Sequence, residues 1–269
     1  MATAMHDVIP RFRTGAATHV GMVRRHNEDS FLVPARPAAT NSGVWAVADG
    51  MGGLDAGDLA SQTVIEGLKS IAAPGTAAAL LASCEDRLFA ANARLVDIAT
   101  QRGGGMIGST VVVLLVYERD YACVWSGDSR IYRVRGGDIE QLTTDHSEVQ
   151  ELVDAGILTP EEARFSPRRN VVTRAIGVLE EAEIEVTHGP LLPGDVFVLC
   201  SDGLTTHVED SEIAAGVKDC EPQEACDRLV ALTLDRGATD NVTVVVVHCD
   251  PGAPPVADAA AEKAPKFGP

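Results

Sequence analysis

Val44-Trp45-Ala46-Val47-Ala48-Asp49-Gly50-Met51-Gly52-Gly53 is the stretch on which the reading of this chain turns. Its apolar start is too short for a helix core and rich in Val and Trp, which predicts a buried strand. The strand runs straight into an aspartate and then three glycines within four residues. A carboxylate delivered at the end of a rigid strand is well held, and glycines let backbone carbonyls approach whatever it binds. Hard divalent cations take such oxygens, carboxylate and carbonyl alike. An isolated Asp-Gly is more often a hairpin turn. Here the same device returns three more times.

The strand-like run Tyr121 to Trp125 ends in Ser126-Gly127-Asp128-Ser129-Arg130. Val196 to Cys200 delivers Ser201-Asp202-Gly203, and Thr239-Asp240-Asn241 stands just before a final strand, Val242 to His248. Between the strand-like runs Val20 to Val23 and Phe31 to Val33 lies the polar loop Arg24-Arg25-His26-Asn27-Glu28-Asp29. It reads either as a solvated turn or as two acids and an arginine presented to one site. Asp49, Asp128, Asp202 and Asp240 each sit at a strand boundary, three of them beside a glycine, and Glu28 and Asp29 join them. Clustered carboxylates repel and raise each other's pKa unless cations lie between them. No histidine or cysteine joins the set in a regular pattern, so Mg²⁺ or Mn²⁺ is expected rather than Zn²⁺. Oxygen-ligated metal pairs serve phosphoryl chemistry.

The rest of the chain sets the frame. Its 269 residues and 45% hydrophobic content suit a globular protein with a substantial core. A single domain is expected over residues 19–249, with residues 1–18 a loose leader and the Ala/Pro-rich residues 250–269 a disordered tail. Asp55 to Ile71, Thr76 to Gln101 and Pro222 to Arg236 read as helices. Ser109 to Tyr117 pairs with Tyr121 to Trp125 as a hairpin, and Ile131 to Val134 with Ile139 to Leu142 around Gly136-Gly137. Residues 144–180 hold only short helical pieces, Glu148 to Ala155 and Pro160 to Arg164, a pattern typical of a mobile functional loop. A net charge of −17 argues against nucleic acid or an anionic membrane as partner, since both need basic patches. No window approaches the roughly 18–20 apolar residues of a membrane span. The first residues lack the apolar core of a secretory signal. Six cysteines without a C-x-x-C pair read as reduced, mostly buried thiols. A cytoplasmic monomer is expected.

The ordered motifs add to this. They are Arg24-x-x-Asn27-Glu28-Asp29; Asp49-Gly50-Met51-Gly52-Gly53 with Ala56-Gly57 and Ala60-Ser61; and Gly108-Ser109-Thr110. Gly127-Asp128-Ser129-Arg130, Leu142-Thr143-x-Asp145-His146-Ser147 and Thr173-Arg174-Ala175-Ile176-Gly177 follow, then Ser201-Asp202-Gly203-Leu204 and Asp240-Asn241-Val242-Thr243. Across residues 18–249 the chain resembles the metal-dependent Ser/Thr protein phosphatases of the PP2C type, in their compact bacterial form.

The resemblance implies an α+β fold, a β-sandwich of two antiparallel sheets flanked by helices, with metals at one end. Asp49 matches the carboxylate bridging two ions, Asp202 and Asp240 further ligands of the first, and the Gly50 carbonyl a ligand of the second. Asp128 with Asp202 matches the holders of a third, weaker ion. Glu28 and Asp29 match groups that hold metal-bound waters. Arg24 matches the arginine gripping substrate phosphate, a task suited to a fork of donors. Residues 146–170 match a flap near the site. The implied reaction is hydrolysis of phosphoserine and phosphothreonine in proteins by a hydroxide bridging the two ions, with Arg24 and the metals neutralising developing charge. Phosphorylated proteins and a cognate bacterial Ser/Thr kinase are the implied partners. The Trp45 strand and the run from Gly103 to Leu115 look most like stand-alone members that accompany type VI secretion systems. Leu54 and Asp58 depart from the family pattern but lie beyond the ligand set; Met51, as is usual among bacterial members, stands where some eukaryotic ones have a histidine, and it cannot donate a proton to the leaving group. An inactive regulatory relative would have lost ligands. A two-metal nuclease would show His-rich ligation or a basic groove.

Overall fold

The computed structural model describes residues 11–34, 42–52, 56–72 and 75–250. Two antiparallel sheets lie face to face. The first runs in the order β1 (Arg11–His19), β11 (Val242–Asp250), β10 (Val196–Cys200), β7 (Arg130–Arg135) and β8 (Asp138–Gln141). The second runs β2 (Asp29–Leu32), β3 (Ser42–Gly52), β5 (Val111–Tyr117), β6 (Asp120–Ser126) and β9 (Glu185–Pro190), with short β4 (Ile107–Ser109) on the far end of β3. Helices α1 (Gly57–Lys69) and α2 (Ala77–Gln101) cover the second sheet, and α6 (Asp210–Gly216) and α7 (Pro222–Asp235) cover the first. The expected sandwich flanked by helices is what forms.

The period of two along each strand builds three apolar layers. Trp45 and Val47 of β3 face the opposite sheet, where they meet Phe197, Leu199, Val245 and Val247. Ala46 and Ala48 turn outward under Val64, Leu68, Leu88 and Leu95 of the helices. On the far side Val198, Val244 and Val246 pack beneath Ile213, Ala225 and Leu229. Asp49 continues the row of Trp45 and Val47, so its carboxylate belongs to the gap between the sheets, at the point where apolar residues give out.

Residues 11–18 are not a loose leader. They form β1, paired with β11 over nine positions from Arg11↔Asp250 to His19↔Val242. Phe12 meets Trp45 edge-on at 5.3 Å, and Trp45 Nε1 donates to Thr14 Oγ1 at 3.0 Å. The strand is fixed by a partner more than two hundred residues away, which local polarity hides. Residues 20–23 in turn are no strand. They make a turn through Gly21 (φ +79°), with Met22 and Val23 exposed. The segment 146–170 folds as α3 (Glu148–Asp154) and α4 (Pro160–Arg164), capped by Ser147 and by a Thr159–Glu162 capping box. Among the described residues no helix is long and apolar enough to cross a membrane. Residues 1–10 and 251–269, and Leu54, lie outside the described residues.

Candidate metal centre

The acidic residues singled out from the sequence gather at one end of the sandwich. Asp29 and Asp49 stand opposite each other in the β2–β3 ladder. Asp128 sits in the β6–β7 corner, Asp202 opens the short helix α5 (Asp202–Thr205) after β10, and Asp240 stands at the entrance to β11. Each is set by main-chain contacts. The Asp49 carbonyl accepts from Thr110 N at 2.9 Å and Ser109 Oγ at 3.0 Å, and its amide donates to Thr110 Oγ1 at 3.2 Å. Thr110 Oγ1 also lies 2.7 Å from Ser129 Oγ, tying the Asp49 strand end to the Asp128 corner. Asn241 is a three-point clamp on the opposite loop. Its Nδ2 donates to the carbonyls of Val20 and His26 at 2.9 Å each, and its Oδ1 accepts from Glu28 N at 2.8 Å.

Missing Cβ atoms make the crowding possible. A Cβ on Gly57 would lie 2.5 Å from Glu28 Oε1 and 2.9 Å from the Gly50 carbonyl, so both oxygens converge on the start of α1. A Cβ on Gly50 would lie 1.9 Å from the Gly57 carbonyl. Around Asp128, Gly127 (φ +115°) is gripped by His146, whose amide donates to its carbonyl at 2.9 Å and whose Nδ1 accepts its N–H at 3.2 Å. Arg130 makes a bidentate pair with Asp145, at 2.9 and 2.7 Å, and donates to Tyr132 OH. These partners lay inside the sequence motifs, but nothing in the sequence said what each would hold.

The electrostatics are those of charges waiting for a counter-charge. Burial first, then the charges of Asp29, Asp202, Asp128 and Asp240, pushes Asp49 well above the usual carboxylate range. Burial, with Asp202 as neighbour, does the same to Asp128. Asp29 is pushed up to about 7 by burial, despite bonds from Thr243 and Ser201, and Asp202 up to about 6 by burial and Asp240. Glu28 rises for want of solvent, partly offset by Arg24 and the Gly57 amide. Asp29 Oδ1 and Asp202 Oδ1 are buried with no hydrogen-bond partner in the protein. Such orphaned anionic oxygens are costly unless something else satisfies them. Among the described residues no three His, Cys, Asp or Glu side chains stand as a finished metal cage. The fit to a hard cation therefore rests on the orphaned oxygens and the all-oxygen donor set. Arg24 is at the rim, half exposed, and donates to Asp240 Oδ2 at 2.6 Å. It stands beside the acidic cluster, and its partner here is a carboxylate of the candidate ligand set.

Repelling carboxylates with an all-oxygen donor set at one end of the sandwich suit divalent cations, and paired ions of that kind serve phosphoryl chemistry. The protein phosphatase 2C family model matches residues 14–242, and the chain belongs to that family. It is 38% identical over 237 residues to the serine/threonine protein phosphatase PstP of Mycobacterium tuberculosis, covering 87% of this chain but 44% of that relative. The chain thus spans less than half the length of that relative. PppA of Pseudomonas aeruginosa, described as a key regulatory component of the type VI secretion system, superposes with TM-score 0.82 at 41% identity, over 90% of this chain and 100% of that one. The catalytic domain of PstP, solved with two manganese ions, superposes with TM-score 0.77 at 35% identity, over 90% of this chain and 99% of that one.

Proposed function

We propose that the chain hydrolyses phosphoserine and phosphothreonine esters in proteins, using two divalent ions, Mn²⁺ or Mg²⁺, at the sandwich end. The observation that carries this is the ring of buried, mutually repelling carboxylates with two orphaned oxygens, inside a chain of the protein phosphatase 2C family. We assign Asp49 to both ions, Asp202 and Asp240 to the first, the Gly50 carbonyl to the second, and Asp128 with Asp202 to a weaker third. Such ions lower the pKa of water and neutralise charge gathering on phosphate oxygens. The chain's own residues do the rest. Glu28, against the Gly57 amide, and Asp29, held by Ser201 Oγ at 2.8 Å, are placed to accept hydrogen bonds from water. Arg24, half exposed and tethered through Asp240, is the guanidinium assigned to the substrate phosphate. The segment 146–170 is assigned as the flap beside it.

The acidic balance of the chain argues against nucleic acid, and membership of the protein phosphatase 2C family supports phosphorylated proteins as substrates and a cytoplasmic Ser/Thr kinase as counterpart. Likeness to PppA over the whole of its solved chain supports a role beside type VI secretion. Phosphate release from phosphoserine, phosphothreonine and phosphotyrosine peptides and from a phosphodiester, each with Mn²⁺, tests the reading. Comparable turnover on the first two, slower release from phosphotyrosine and none from the diester is expected. Activity confined to phosphotyrosine or to the diester contradicts it.

A further inference from the structure

The turn that carries Asp240 follows the end of α7, where Gly237 and Ala238 donate to the carbonyls of Leu234 and Thr233, and Met22 N donates to the Ala238 carbonyl at 2.8 Å. Gly237 and Ala238 lie at φ +103° and +30°, a region an alanine rarely enters. Three contacts from residues 203–207 tie the turn to the segment that begins with Asp202. Gly203 is so close that a Cβ there would come 1.9 Å from the Asn241 carbonyl. Arg236 donates to the His207 carbonyl at 2.6 Å while paired with Glu212. The third contact is a side chain: His207 Nε2 accepts the Thr239 amide at 3.2 Å and lies 3.3 Å from Thr239 Oγ1.

The same segment begins with Asp202. Thr206 N donates to the Asp202 carbonyl at 2.8 Å and His207 N to the Leu204 carbonyl at 3.0 Å, with Leu204 and Val208 buried. Asp202 and the root of the His207 side chain therefore belong to one hydrogen-bonded helical piece. The imidazole joins that piece to Thr239, one residue before Asp240. Its position in the sequence, five residues past Asp202, gave no sign of this.

We propose that His207 is a positioning residue for the metal centre: through Thr239 it fixes the separation of Asp202 from Asp240. Asp202 and Asp240 repel each other, and the imidazole ties the segment that bears one to the turn that bears the other. The inference rests on the metal reading above. Groups that orient ligands without touching the ion govern metal affinity strongly.

Calorimetric Mn²⁺ titration of the unsubstituted chain, His207→Ala and His207→Gln tests it, with thermal melting to establish that each is folded. His207→Ala should weaken Mn²⁺ binding about tenfold and raise the Mn²⁺ needed for half-maximal turnover by the same factor, with kcat at saturating Mn²⁺ kept. His207→Gln places an acceptor oxygen at the reach of Nε2 and should restore the affinity. Unchanged Mn²⁺ binding in His207→Ala, even with a lower melting temperature, overturns the proposal. So does a Gln variant as weak as the Ala variant. If the unsubstituted chain takes up no Mn²⁺, the metal reading itself fails and the inference goes with it.

Discussion

Asp49→Asn is expected to abolish phosphate release, lowering kcat by about 10³-fold or more, while making the chelator-treated protein more stable than the unsubstituted one. The two effects have one cause. Asp49 is the carboxylate most surrounded by others, with Asp29, Asp202, Asp128 and Asp240 all raising its pKa beside the effect of burial. Asparagine is neutral there without taking up a proton or a cation, so the cost of that repulsion goes, and with it the ligand assigned to both ions. The fold does not depend on the carboxylate, because Ser109 and Thr110 hold the main chain of Asp49. A residue kept for function at a cost in stability has this signature. Turnover of a phosphothreonine peptide, with urea unfolding in chelator, measures both. Full turnover, or a variant less stable than its parent in chelator, contradicts the assignment.

The second large effect is a stability that falls as pH rises when divalent ions are chelated. Unfolded aspartates titrate near about 3.9. In the fold Asp29 is raised to about 7 and Asp202 to about 6, and Asp49 and Asp128 are raised well above the usual carboxylate range, all led by burial. Between those values the folded chain holds more protons than the unfolded one. Folding is then favoured most at low pH and loses stability as pH climbs through the folded values. Buried His146 and His248 oppose this in acid, because burial lowers their pKa and they must charge on unfolding. The fall is therefore cleanest well above the ordinary imidazole pKa of about 6.5, where unfolded histidines no longer charge. There the urea midpoint in chelator should drop, and Mn²⁺ should remove the drop by taking the place of the protons. A flat profile in chelator, or the same loss with saturating Mn²⁺, speaks against a cation-dependent cluster.

Much of this centre was legible because strand ends are local. Val44 to Ala48, Tyr121 to Trp125 and Val196 to Cys200 each announce a buried strand by composition, and each delivers its aspartate within a few residues. What stayed hidden depends on distant partners. β1 carries Arg11, Arg13, Thr14 and Thr18 and reads as a leader until β11 and Trp45 are set beside it. β9 (Glu185–Pro190) is half polar and survives as an edge strand by pairing with β6. Arg24 was assigned by motif to phosphate, and in the loop before β2 its partner is Asp240. Thr110, Ser129, Asn241 and His207 matter for what they hold in place. A role of that kind shows only once the chain is folded.

The central claim is that ions bind between these named carboxylates. Anomalous difference density from crystals soaked in MnCl₂, collected at the manganese edge, tests it most directly. The expected result is two strong peaks flanking Asp49, one toward Asp202 and Asp240 and the other toward the Gly50 carbonyl. Peaks elsewhere, or none at that end of the sandwich at saturating Mn²⁺, would contradict the account.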